Sequence, residues 1–335
     1  MGQGIAQIAA QAGSLVKLYD VQAEAVAKAS KNMHQQWDKL LEKNRFTAEQ
    51  VKQFKANLQS ASQLSDLNDC DLVIEAIVER LDIKQSFFAE LEQIVQPSAV
   101  LVTNTSSLSV TAIASALKRP AQFAGYHFFN PVPLMKVVEV IAGLKTNPHV
   151  CASLTEYAKQ MGHKAVNAQD TPGFIVNHAG RGYGTEALRI VYEGIADFAT
   201  IDRILKDQAG FKLGPFELMD LTALDVSHPV MESIYKQYYE EPRYRPSVIT
   251  AQRLAGGVLG KKVSDGFYKY ENGIAQIPNE PPVTVVEEMP PVWVSTRAVR
   301  RVELLQLLKD LGAKIETGAS PSAQALSIVA PLGFD

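Results

Sequence analysis

Two short apolar runs, Asp71-Leu72-Val73-Ile74-Glu75-Ala76 and Val100-Leu101-Val102-Thr103, flank a helix-length stretch from about Leu81 to Val95. No other spacing in the chain constrains its fold as strongly. Runs this short, without polar alternation, suit strands buried on both faces. Two strands joined through a helix lie parallel, because a crossover of a dozen or more residues is needed to bring the chain back to the same end of a sheet. The rhythm extends in both directions. Residues 4–12 place Ile5, Ile8, Ala9 and Ala12 at helical spacing before Gly13, and Leu15–Tyr19 then reads as a strand ending at Asp20. A polar amphipathic stretch from Gln22 to about Leu58 predicts a helical hairpin broken near Asn44–Thr47. Further strands are expected around Ala124–His127 and Lys136–Ile141, so the first half is α/β with a mostly parallel sheet.

After Val150 the pattern changes. A helix over 152–161, a short strand near Ala165-Val166 and the break Thr171-Pro172-Gly173 lead into helices at about 174–192, 200–209, 215–223, 227–239 and 246–256. The expected division is a sheet domain over 1–168, with its helical hairpin near 22–58, and a mainly α-helical domain over 169–272. Residues 273–291, with Pro278, Pro281, Pro282, Pro290 and Pro291, read as a linker of restricted, extended geometry. Beyond it, 292–335 reads as the start of a further, truncated module, with a strand at Val292–Val294 and a helix over 297–311.

A net charge of −3 gives no broad attraction to nucleic acid or an anionic membrane, so neither is expected as a partner. No apolar run approaches the roughly 20 residues needed to cross a bilayer, and the start lacks a basic segment. Cys70 and Cys151 lie far apart, which argues against a disulfide framework and for the cytoplasm. His34, His149, His163, His178 and His228 show no metal-ligand spacing, so no metal is expected.

The chemistry concentrates in Tyr126-His127-Phe128-Phe129-Asn130-Pro131, with Glu139 twelve residues after the histidine. An imidazole and a carboxylate on two short strands make a general base with an orienting partner, suited to taking a proton from a hydroxyl. At the other end, Met1-Gly2-Gln3-Gly4 opens a helix and Asp20 closes the next strand. In a Rossmann-like unit such a turn lets backbone approach a pyrophosphate while the acid receives the ribose hydroxyls, which favours NAD. The full fingerprint needs a preceding strand and two earlier glycines, so the chain is expected to be N-terminally truncated, with the sheet's first strand missing.

Seven ordered segments then resemble the L-3-hydroxyacyl-CoA dehydrogenase family, from Met1 to about Tyr270. They are Gly4–Gln7, Glu75–Glu79, Asn104–Leu108, His127–Pro133, Asp170–Asn177, Gly214–Asp220 and the run Gly260-Lys261-Lys262 through Gly266-Phe267-Tyr268. Tyr244–Ser247 and the proline-linked continuation resemble the longer bacterial members, the 3-hydroxybutyryl- and 3-hydroxyadipyl-CoA dehydrogenases. The resemblance implies oxidation of an (S)-3-hydroxyacyl-CoA with NAD, with His127 as base and Glu139 orienting it. It further implies that Ser106 and Asn177 meet the substrate and that Ser106 also meets the cofactor. Asn130, Glu79, Lys84 and Lys262 would line the cofactor with Gly2 and Asp20, and Lys43, or its neighbour Arg45, would meet CoA. A homodimer through the helical domain is implied as well. Arg181 and Arg189 are two cations that a distal acyl carboxylate could meet.

Plainer readings stand beside these. A strand histidine between aromatics is often packed and hydrogen-bonded only, Ser106-Ser107 can cap the helix that begins near Val110, and Lys261-Lys262 suit a solvated turn. Ser106 and His127 also suggest a serine hydrolase, but no Gly-x-Ser-x-Gly elbow surrounds the serine. The competing functions are another NAD-linked hydroxyacid or sugar dehydrogenase, and a catalytically impaired fragment.

Overall fold

The computed structural model describes residues 1–280 and 288–329. Two compact units divide between Pro278 and Asn279. The first begins with α1 (Gly2–Gln11), β1 (Val16–Leu18), α2 (Ala23–Glu42), α3 (Ala48–Ala56) and β2 (Leu58–Ser60). It continues through β3 (Leu72–Glu75), α4 (Leu81–Ile94), β4 (Val100–Thr103), α5 (Val110–Ala114), β5 (Phe123–Phe128), β6 (Val137–Ala142), α6 (Pro148–Gln160) and β7 (Lys164–Gln169). Five strands form one sheet in the order β3-β4-β5-β6-β7, parallel except where β5 meets β6. β1 and β2 form a separate parallel pair.

Every residue of β5 is buried, and the two faces of the sheet divide its side chains. Tyr126 and Phe128 pack with Ile5, Ile8, Val140 and Leu154, so α1 and α6 cover one face. Phe123 packs with Phe88, Leu91, Ile113 and Ile141, so α4 and α5 cover the other. Each such side chain contributes about 1.5–3 kcal/mol through burial, which fixes the pleat of β5 and with it the face on which His127 emerges. Trp37 and Met33 of α2 close on Val51 and Phe54 of α3 and on Ala6 and Ala10 of α1. The small side chains of α1 are what allow the hairpin to approach it.

Several boundaries differ from the sequence reading for identifiable reasons. The hairpin expected to run to Leu58 stops at Ala56, and Leu58–Ser60 becomes β2 because its backbone pairs with β1. The helix expected over 152–161 starts at Pro148, where Asn147 accepts a hydrogen bond from the His149 N–H and Pro148 is preorganised for the first turn.

Beyond Thr171 come α7 (Val176–Ala179), α8 (Arg181–Tyr192), α9 (Phe198–Arg203), α10 (Pro215–Thr222), α11 (Leu224–Gln237) and α12 (Val248–Ala255), then a hairpin of β8 (Lys269–Glu271) and β9 (Ile274–Gln276). The helix expected over 174–192 is divided at Gly180, and β9 occupies the start of the stretch expected to be a linker. Leu188, Phe216, Met219, Leu224, Met231 and Phe267 form the core. Two buried aspartates tie it together. Asp202 accepts from the Phe216 and Glu217 N–H groups at the start of α10, and Asp220 accepts from those of Phe267 and Tyr268. A Cβ on Gly266 would collide with the Asp220 carboxylate, so the glycine is required by this close approach.

The second unit holds β10 (Val292–Val294), α13 (Arg301–Asp310), β11 (Ile315–Glu316) and β12 (Leu326–Ile328) in a parallel sheet of order β11-β10-β12. The expected strand at Val292–Val294 is present, and the expected helix begins at Arg301. Pro281 and Pro282 of the expected linker and the terminal residues 330–335 lie outside the described residues. Among the described residues no helix is long and apolar enough to cross a membrane.

Candidate active site

His127 and Glu139 are direct partners in the antiparallel ladder between β5 and β6. Directly opposed residues project from the same face of a sheet, so the backbone register alone brings the two side chains together. His127 Nδ1 lies 2.6 Å from Glu139 Oε2, with the carboxylate fully buried and the imidazole 5% exposed. A proton held on Nδ1 toward the carboxylate leaves Nε2 as the accepting nitrogen. Phe129 and Phe174 flank the ring, with centroids at 4.5 and 5.8 Å.

The second oxygen of Glu139 reaches across to the start of α7, where it accepts from the N–H groups of Ile175 and Val176, both at 2.9 Å. Burial alone would raise the carboxyl's pKa, but the bond from His127 and those two N–H groups outweigh it and hold the group below its ordinary value. Glu139 therefore stays ionised, fixes the His127 ring and anchors the helical half to the sheet.

Ser106 sits in the loop after β4. Glu79 accepts from Thr105 Oγ1 at 2.6 Å, from the N–H groups of Ser106 and Ser107 at 2.9 and 3.1 Å, and from Ser107 Oγ at 3.1 Å. Burial pushes its carboxyl upward, and the Thr105 bond, the Lys84 charge and the Ser106 N–H together bring it below the ordinary value. Lys84 is buried between Glu75, at 2.6 Å, and Glu79, at 3.3 Å. It thus supports Glu79 from beneath. Glu75 also accepts from Thr103 Oγ1 at 2.7 Å and the Ile77 N–H at 2.6 Å. Asn104 accepts from the N–H of Phe128, next to His127, at 2.8 Å. Sequence reasoning gave no role to Glu75, Thr103 or Asn104. The available signal was an acid inside an otherwise apolar strand, with a lysine nine residues on.

The helical half reaches this loop from two positions. Asn177 Nδ2 lies 3.4 Å from the Ser106 carbonyl, and Gln237 Nε2 donates to the Ser107 carbonyl at 2.8 Å. Beside this junction is a cavity of about 290 Å³ lined by Ser107, Ser109, Asp170, Thr171 and Lys236 among others. It lies behind the Ser106 loop and does not include His127.

The nucleotide side is assembled differently. Gly2 begins α1, and a Cβ built on it would come within 3.9 Å of Ala76, just beyond β3. A Cβ on Gly4 would lie 2.9 Å from Val132, so a bare backbone is what lets α1 pack under the loop that follows His127. The first turn of α1 has neither an acidic residue nor a capping side chain, which suits an anion at the helix N-terminus. Asp20, at the end of β1, is exposed and accepts from the Gln22 N–H. These features fit a dinucleotide: Gly2 would lie against its pyrophosphate and Asp20 would receive its ribose. Asn130 is exposed three residues after His127. Lys262 pairs with Asp225, and Lys43 and Arg45 are exposed where α2 ends. The described residues contain no His, Cys, Asp and Glu cluster able to hold a metal ion.

Two family models match the chain: "3-hydroxyacyl-CoA dehydrogenase, NAD binding domain" over residues 1–171, and "3-hydroxyacyl-CoA dehydrogenase, C-terminal domain" over residues 173–270. The 3-hydroxyadipyl-CoA dehydrogenase of Escherichia coli is 42% identical over 81% of this chain, which spans 57% of that protein's length. A probable 3-hydroxybutyryl-CoA dehydrogenase of Deinococcus radiodurans is 40% identical over 81% of this chain and 96% of its own. Among solved structures, the Escherichia coli 3-hydroxybutyryl-CoA dehydrogenase superposes with a TM-score of 0.80 at 36% identity, over 92% of this chain and 68% of that one. The Ralstonia eutropha (S)-3-hydroxybutyryl-CoA dehydrogenase gives 0.78 at 34%, over 81% and 96%.

Proposed function

Because the chain belongs to the 3-hydroxyacyl-CoA dehydrogenase family, we propose that it oxidises the C3 hydroxyl of an (S)-3-hydroxyacyl-CoA to the 3-oxoacyl-CoA, with His127 as the base. The observation that carries this reading is the buried 2.6 Å contact between His127 and Glu139, which leaves Nε2 as the proton acceptor. NAD, when bound, supplies the acceptor for the C3 hydride.

The remaining work falls to the chain's own residues. Nε2 of His127 takes the hydroxyl proton, and the Glu139 carboxylate stabilises the imidazolium that results. Ser106, on a loop fixed by Glu79, and Asn177, on the helix tied to Glu139, hold the substrate oxygen from two sides. Neutral donors suit this place, since a fixed charge there would compete with Glu139 for the base. Gly2, Asp20, Glu79 and Asn130 hold the dinucleotide, with Lys84 beneath Glu79 and Lys262 approaching from the helical half. Lys43, with Arg45, offers cations to CoA.

The same proposal includes a homodimer through the helical domain, supported by its exposed apolar residues Ile204, Leu218, Leu221 and Val226. The free thiols of Cys70 and Cys151 suit the cytoplasm.

The test is NADH formation by the unmodified chain. It is expected with (S)-3-hydroxybutyryl-CoA and not with the R enantiomer or free 3-hydroxybutyrate. Equal turnover of the free acid would contradict the thioester assignment and favour a hydroxyacid dehydrogenase.

A further inference from the structure

Most of the partly buried charges around the cleft are neutralised. Glu139 meets His127, and Glu79 and Glu75 meet Lys84. Arg181 differs. Its side chain is partly buried, and its one hydrogen bond among the described residues is from Nε to the Asn177 carbonyl, at 3.4 Å. No carboxylate of the described residues forms an ion pair with it. Burial pulls its pKa below the ordinary arginine value, and no charge among the described residues offsets this. A guanidinium taken out of water without a counterion is costly, and such groups are normally paired.

The position of Arg181 specifies what could pair with it. It lies four residues after Asn177, beyond the division at Gly180, and the bond from its Nε to the Asn177 carbonyl keeps the guanidinium on that residue's side of the α7–α8 segment. On that side Asn177 meets the Ser106 loop, while Thr185, one turn beyond Arg181, is buried. In the same turn of α8, a Cβ at Gly182 or Gly184 would meet nothing within 4 Å, so no bulky side chain of that turn covers the start of the helix. Arg189, two turns on, is no rival. It is exposed and paired with Glu193 at 2.9 Å.

We propose that Arg181 receives the terminal carboxylate of a dicarboxylic 3-hydroxyacyl-CoA, making it a specificity residue for acyl chains that end in an anion. This rests on the thioester reading of the site given above. The planar guanidinium matches a carboxylate in bidentate fashion and supplies what Arg181 itself lacks, a counter-charge at a partly desolvated position. The CoA phosphates are less suited to it. For those the exposed Lys43 and Arg45 already offer cations.

The experiment measures binding of 3-hydroxyadipyl-CoA and 3-hydroxybutyryl-CoA to the full chain by calorimetry, for the unmodified protein, Arg181→Met, Arg181→Lys and Arg189→Met. The unmodified protein is expected to bind the adipyl thioester more tightly. Arg181→Met should weaken adipyl binding about 10- to 100-fold more than butyryl binding, the range of a charged hydrogen bond. Arg181→Lys should retain part of that preference, and Arg189→Met should leave it as it was. Equal weakening of both thioesters by Arg181→Met would overturn the proposal and assign the guanidinium to the CoA portion they share. Equal binding of both by the unmodified protein would overturn it too. If Arg181→Met does not fold, a reduced preference in Arg181→Lys supports the proposal, and a preference there equal to that of the unmodified protein contradicts it. Oxidation of 3-hydroxybutyryl-CoA by the unmodified protein is followed separately, so failure of the dehydrogenase reading is distinguishable from failure at Arg181.

Discussion

His127 and Glu139 sit opposite each other in a continuous backbone ladder, whereas Gly2 and Asp20 are carried by a helix and by a strand whose sheet partner is β2. The first pair is fixed by register, by packing on both faces of β5 and by two N–H groups from α7. The second is held mainly by small apolar contacts of α1 with the sheet and the hairpin. Geometry for proton transfer is thus over-determined, while geometry for the nucleotide depends on how α1 packs. A change in one half should move turnover, and a change in the other should move cofactor affinity.

The sharpest way to break this contrast is at Lys84, which supports the loop where the halves meet. Lys84→Met leaves Glu75 buried without a cation and should cost about 3–5 kcal/mol in urea unfolding, since removing one partner of a buried pair strands the other. Within the dyad, Glu139→Gln keeps the shape but removes the charge facing the imidazolium, and kcat should fall about 100-fold with KM for NAD little changed. The same variant tests the carboxyl's lowered pKa. The stability Glu139 contributes is fully present above its ordinary value of 4.5 and is lost as pH falls through the lower folded value. Unfolding followed from pH 7 to well below pH 4.5 should therefore include this loss in the unmodified protein and lack it in Glu139→Gln. The smallest effect is expected at the exposed Asp20. Asp20→Ala should raise KM for NAD roughly tenfold through loss of the ribose contact, with kcat close to unchanged.

The contrast also explains what could be read from the sequence. β4 was legible residue for residue because an apolar run between turns has few alternatives, and the two strands of the dyad were legible from His127 and Glu139 within their apolar neighbours. β2 was not, because Leu58-Gln59-Ser60 has no strand character of its own and becomes a strand only by pairing with β1. Asn147-Pro148 carried a helix start that hydrophobic spacing alone placed four residues late. In the site, Lys84 was singled out only through the family resemblance, and its burial between Glu75 and Glu79 depends on how α4 leaves β3. The pairing of Arg189 and the isolation of Arg181 were equally invisible, since both are arginines on one helix and only the fold separates them.

The central claim is that His127 is the proton acceptor, held by Glu139, and it is tested most directly by the turnover of His127→Gln with saturating NAD and (S)-3-hydroxybutyryl-CoA. The account predicts that kcat falls by about 10²- to 10⁴-fold, the contribution of a positioned general base, while NADH binding and the urea midpoint stay close to those of the unmodified protein. A folded His127→Gln that binds NADH and turns over at nearly the full rate would contradict it.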